Sequence, residues 1–280
     1  MERSHHSSRQ PTLPARASGK PMTMDFANIL FAGPCNRACP FCIGEQLPGH
    51  VNVNNLNLWP PRNLDAFIER IRDGRIRQVI FTGTVSDPQL YAHEARLLTY
   101  MRERLPEATQ YSVHTNGVLA LRKMDVFNLY DRACISFPSF QSEVYAAVMG
   151  HPRVPDLKTI LQRSQIPVKV SCVVTAANRA GLPAFLDECR RIGVRRLVLR
   201  KLFGEHGTEG HLLDLEPKGF FHKNPVYDWD GMEVTDWNFD VSAMRSINLF
   251  ADGTIGTEYL LTDNFPQASE NRTQATIGGA

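Results

Sequence analysis

The chain has 280 residues, 42% hydrophobic and 21% charged, with a formal net charge of +2. That is ample for a sizeable core in one large domain or two small ones. It excludes a protein that holds nucleic acid through strong overall basicity, and no apolar run approaches the ~20 residues of a membrane-crossing helix.

Residues 1–22 are rich in Ser, Pro and Arg without the apolar stretch of a secretory signal, and read as a disordered N-terminal arm. Apolar, β-branched runs then alternate with helix-period segments. Strands are expected over 26–32, 78–83, 111–115, 132–137, 168–174 and 195–202. Helices are expected over 64–73, 94–104, 123–130, 142–149, 157–163 and 182–192. The strand runs read as apolar on both faces, so the class is α/β with a parallel sheet covered by helices. Six units are too few for an eight-stranded barrel and leave a partial (β/α)6 barrel or a doubly wound sheet. From 204 to 245 the chain turns polar and aromatic with little periodicity, and 247–260 reads as a hairpin about Asp252-Gly253. The expected organisation is an arm (1–22), an α/β core (23–203) and a C-terminal extension (204–280) that ends in the short hairpin and covers the barrel mouth.

Chemistry concentrates directly after the first strand. Cys35, Cys39 and Cys42 form a C-x3-C-x2-C loop. Three thiolates on one short loop suit a soft metal centre, and three rather than four leave a position open for reaction. Cys134, Cys172 and Cys189 stand singly in apolar or helical runs and read as packing residues. No disulfide framework is expected, which fits a reducing cytoplasm. A zinc knuckle completed by a histidine such as His50 is the competing reading of the triplet. Small and polar residues recur at the ends of the other strands, as in Gly83 to Pro88, His114 to Gly117 and Ser136 to Ser139. They converge on the cysteine loop and predict a pocket there.

These residues carry a resemblance. The C-x3-C-x2-C loop with Phe41 before its last cysteine, the FTGTVSDP segment, the HTNG turn, ISFPSFQSEVYAAVMG, and PVKVSCVVTAAN with RIGVRRLVLRKL resemble the radical S-adenosylmethionine (radical SAM) superfamily. Within it they resemble the catalytic domain of the molybdenum-cofactor cyclases, over roughly residues 26–203. The resemblance implies a partial barrel of the radical SAM type and one [4Fe–4S] cluster held by Cys35, Cys39 and Cys42. It also implies S-adenosylmethionine on the fourth iron, split by one electron into methionine and a 5′-deoxyadenosyl radical. Phe41, Gly83, Thr84, Asp87, Asn116, Ser136 and Lys201 are the expected cofactor-binding residues. Lys169, Arg200 and Glu258 are the expected substrate contacts.

The chain also departs from those cyclases. Their acidic Gly-Gly-Glu-Pro segment is here the longer Gly83-Thr84-Val85-Ser86-Asp87-Pro88, and no cysteine follows Cys189. A second, C-terminal cluster of their type is therefore excluded, and GTP cyclisation is not carried over. The expected activity is radical chemistry on a small-molecule or nucleotide-like substrate. An electron donor such as flavodoxin or ferredoxin would be the partner, with no membrane or nucleic-acid role. The alternatives are a peptide- or protein-modifying maturase and a non-catalytic iron–sulfur or zinc scaffold.

Overall fold

The helical stretches form where apolar side chains recur every three or four residues. In the computed structural model, which describes residues 24–202, 212–242 and 244–257, α1 (Leu64–Asp73) buries Leu64, Phe67, Ile68 and Ile71 on one stripe. β1 (Phe26–Phe31) precedes it, and β2 (Gln78–Gly83), α2 (Glu94–Arg102), β3 (Gln110–Thr115), α3 (Met124–Phe127) and β4 (Arg132–Ser136) follow. Next come α4 (Ser142–Met149), α5 (Leu157–Arg163), β5 (Val168–Val174), α6 (Ala176–Arg179), α7 (Leu182–Arg191) and β6 (Arg196–Lys201). The expected six strand–helix units are present, with boundaries that shift by one or two residues and α3 shorter than its pattern suggested.

Strands β1 to β6 lie side by side in sequence order, every neighbouring pair parallel. That order rules out the doubly wound alternative, in which strand order reverses at a switch point. The sheet stays open, and it curls around a cavity lined from β1 through β6.

Two expectations are corrected here. The strands are not apolar on both faces. On β5, Val170, Cys172 and Val174 pack in the hydrophobic core under the helices, while Lys169, Ser171 and Val173 line the cavity. Asn28, Ser112 and Thr235 do the same on their strands. Helices cover only the outer face, and the inner face mixes these polar side chains with apolar ones such as Ile80, Val173 and Val198.

Nor is the described part of 204–245 irregular. It carries β7 (Gly219–Phe221), β8 (Asn224–Trp229) and β9 (Met232–Trp237), and β10 (Ser246–Leu249) and β11 (Ile255–Gly256) follow. β9 pairs parallel with β6 and continues into antiparallel β8 and β7, while β10 pairs parallel with β1 and carries β11, giving eleven strands in one sheet among the described residues. The signal for β8–β9 is the Asp230-Gly231 pair, with φ of +49° and +86°, values that suit a two-residue hairpin turn. The sequence reading took the equivalent Asp252-Gly253 pair and missed this one. The arm at 1–22 and the end of the predicted hairpin, 258–260, lie outside the described residues.

Candidate active site

The cysteine loop leaves the C-terminal end of β1 and is seated by its neighbours. Ala38 N–H donates to Met149 O at the end of α4 (3.2 Å). Gly150 allows this close approach: its φ is +68°, and a Cβ there would lie 1.9 Å from Ala38 O. On the other side Gly44 meets the β2 loop, where a Cβ would stand 2.1 Å from Thr84 O. Cys39 Sγ faces Met149 O at 3.8 Å and Cys42 Sγ faces Thr84 O at 3.6 Å. Cys35 is the exposed member of the three, its sulfur 3.9 Å from Asn36 Oδ1.

Burial pushes the Cys39 thiol up to about 11, and Cys42 and Cys35 add to the shift. Cys35 moves the same way, first because its sulfur is partly walled off from water. Thiols that resist ionisation beside one another are the complement of a cationic metal centre, whose binding displaces their protons. Among the described residues no three His, Cys, Asp or Glu side chains converge as they would around a single preorganised ion.

The sequence-predicted residues come together. Phe41, Gly83, Thr84, Asp87, Asn116, Ser136, Lys169, Arg200 and Lys201 line one cavity of about 1190 Å³ with Cys35, Cys39 and Cys42. Glu258 lies outside the described residues. Several have tasks the sequence did not disclose. Gly83 is dictated by its own turn, since a Cβ would sit 1.5 Å from Ser86 O. Asp87, expected among the cofactor-binding residues, is buried and its carboxylate is engaged within the fold. It accepts from Gln89 N–H at 2.9 Å, from Asn116 N–H at 2.7 Å, and from the Thr115 hydroxyl. Burial pushes its carboxyl up, and the Asn116 and Gln89 amides pull it back. Behind this turn Lys123 donates to Glu94 Oε2 and to Gln89 O, and Tyr130 OH donates to Glu94 Oε1. The buried Glu94 thereby anchors the segment that follows β2. Ser136 stands exposed at the rim, and Phe41 is half-buried against the main core.

Deeper in, strand register sets His114 beside Cys134 and Cys134 beside Lys169. Cys134 is buried like Cys172 and Cys189, but it lines the cavity instead of joining the hydrophobic core. The Lys169 ammonium is held below its usual range. Cys134 favours its charge, but burial and the cations of Arg200, Arg196 and Arg132 outweigh that. His114 is pushed well below its usual range by burial, helped by Lys169 and Arg200, and so is neutral near pH 7. Arg196 pairs with Glu233 at 3.1 Å, whereas Lys169, Arg200 and Arg132 make no ion pair among the described residues.

Sequence reasoning missed Arg37, Asn36 and Ser86. Arg37 is buried and donates to Asn36 O and Arg153 O, each at 2.7 Å, with its Nε 3.4 Å from Tyr145 OH. Ser86 donates to Pro34 O at 3.1 Å. Only Ser86 had a signal, as part of the lengthened turn.

No family model matches the chain. A GTP 3′,8-cyclase of Chlorobaculum tepidum is 24% identical over 193 residues, covering 66% of this chain and 56% of that protein. A protein of Methanococcus maripaludis named "Probable GTP 3′,8-cyclase" is 21% identical over 221 residues, covering 71% of each. The chain thus spans little more than half the length of the first relative. Among solved structures, Streptococcus suis SuiB bound to precursor peptide SuiA superposes with a TM-score of 0.51 at 17% identity, covering 65% of this chain and 40% of that one. This last likeness concerns the fold, an open α/β barrel. With the rim cysteines, the likeness to the two curated cyclases supports a place for the chain among the radical SAM enzymes.

Proposed function

We propose that the chain binds one [4Fe–4S] cluster at Cys35, Cys39 and Cys42 and acts on a small, polar, anionic or nucleotide-like substrate inside the barrel. The bound cluster and S-adenosylmethionine would supply a 5′-deoxyadenosyl radical that takes a hydrogen atom from that substrate. One observation carries the reading: three cysteines at the mouth and a cationic, polar wall open on the same cavity.

The protein's own residues divide the remaining work. Phe41 offers a flat apolar face at the rim, and the Ser136 hydroxyl is available to a carboxylate or ribose. Lys201 and Thr84 extend the cofactor side of the rim. Among the described residues Lys169 and Arg200 face inward without an ion pair, and Arg200 Nε is buried with no hydrogen-bond partner there. Like charges gathered in a partly desolvated cavity call for an anionic occupant. Neutral His114 beside them is an acceptor that adds no charge. Reducing equivalents would come from a flavodoxin- or ferredoxin-type donor.

The test is anaerobic reconstitution with iron and sulfide, then dithionite and S-adenosylmethionine, with 5′-deoxyadenosine measured by chromatography. Cluster absorbance and cleavage are expected in the wild type, and Cys39→Ala should abolish both. A wild-type protein that assembles no cluster and cleaves nothing would overturn the reading.

A further inference from the structure

The stretch around Cys35 is held differently from the rest of the loop. Among the described residues, no backbone–backbone hydrogen bond involves residues 33–37. Side chains hold it instead, and one chain of bonds orders them. Asp87 Oδ2 accepts the Asn116 N–H at 2.7 Å. Asn116 Oδ1 in turn accepts the Val118 N–H at 3.1 Å. A backbone N–H can only donate, so the amide of Asn116 has one orientation, with Nδ2 toward the cysteine loop. That Nδ2 donates to Asn36 Oδ1 at 2.7 Å. Asn36 is thereby oriented as well, and among the described residues its Nδ2 is left buried with no hydrogen-bond partner. A buried amide donor without an acceptor is costly, and this one is next in sequence to Cys35.

We infer that Asn36 is a positioning residue for the metal centre, set by Asn116, and that its free Nδ2–H is donated to a sulfur of the cluster when the cluster is bound. The inference rests on the cluster reading above. Hydrogen bonds to cluster sulfurs raise the reduction potential, so Asn36 would make the centre easier to reduce, and Asn116 would act only through Asn36.

The experiment is a double-mutant cycle read by potentiometry and by electron paramagnetic resonance of the reduced, reconstituted protein. Asn36→Ala and Asn116→Ala should each lower the midpoint potential and alter the resonance line shape. The double variant should shift no further than Asn36→Ala alone. Asn36→Ser, which restores a hydroxyl donor, should recover part of the shift, and it serves as the measured variant if Asn36→Ala does not take up iron. Unchanged potential and line shape in the Asn36 variants, with a cluster present, would overturn the inference and leave the cluster assignment standing. Additive shifts would also overturn it, because Asn116 would then act by another route. A wild-type protein with no cluster removes both readings together.

Discussion

Strands β1–β6 and strands β7–β11 belong to one sheet but are held by different means. In β1–β6 every strand has parallel partners, and the outer face lies in the hydrophobic core with α1, α2 and α7. The flanks share that core through Tyr227, Met232, Val234, Ile247 and Leu249, and add buried polar pairs to it. Asn248 Oδ1 accepts from Asn28 Nδ2 at 2.7 Å and from Ser246 Oγ at 3.0 Å. Asn224 Oδ1 accepts the Asn238 N–H at 2.7 Å, and Asp236 Oδ2 the Leu212 N–H at 2.7 Å. The central strands therefore carry both stability and the cysteine mouth, whereas the flanks complete the cavity wall. Changes at the first should cost folding and metal together, and changes at the second should cost less and spare the metal.

The largest effect is expected from Glu94→Ala, outside the cavity lining but in the network behind β2. Removing one partner of a buried ion pair costs about 3–5 kcal/mol. Urea unfolding should show a loss of that size, and iron uptake should fall because the turn from Thr84 to Asp87 loses its anchor. Retained stability would place Glu94 outside the central unit.

Gly83→Ala comes next. Its added methyl would strike Ser86 O, and the expected loss is about 3 kcal/mol, the upper end for overpacking. Chelator challenge should strip iron from this variant faster than from the wild type.

On the flank, Asn248→Ala should cost about 1–2 kcal/mol, the range for a buried hydrogen-bonded side chain. Cluster absorbance should be unchanged. Loss of the cluster in this variant would show that the flank supports the mouth after all.

The smallest effect concerns the inner wall. His114 is neutral in the fold because burial and the nearby cations push its pKa down. Below pH ~6.5 the unfolded chain takes up a proton that the folded chain refuses, so stability falls as pH drops. His114→Gln should flatten the stability curve between pH 6.5 and 5 by up to about 1.4 kcal/mol per pH unit. An unchanged curve would mean that the imidazole is solvated.

Much of the central unit was legible in the sequence because local pattern and tertiary role agree there. QVIFTG and VKVSCVV are β-branched and apolar, and they form β2 and β5 at the predicted residues. LDAFIERIRD has one apolar stripe and forms α1 at the predicted residues. Strand β9 was missed because MEVTDW alternates apolar and polar only over Met232 to Thr235 and sits in polar surroundings. It becomes a strand by pairing with β6, a non-local event. Inner-face polarity was missed for a related reason. Ser112, Ser171 and His114 look like minor interruptions in apolar runs until the sheet curls and puts them on one wall.

Spacing along the chain is enough to set the strand–helix alternation, the C-x3-C-x2-C loop after the first strand, and the small polar residues at the strand ends. Tertiary structure alone decided what those residues do. Asp87 could be read as a carboxylate for a cofactor, but the approach of β3 to β2 turns it into the acceptor for Asn116 N–H. Asn36 carried no signal, yet among the described residues the fold leaves its amide donor unpaired, one residue from Cys35 in the chain. Both follow from the same physical fact: a polar group's role depends on which partners burial leaves within reach, and those partners come from strands more than 25 residues away.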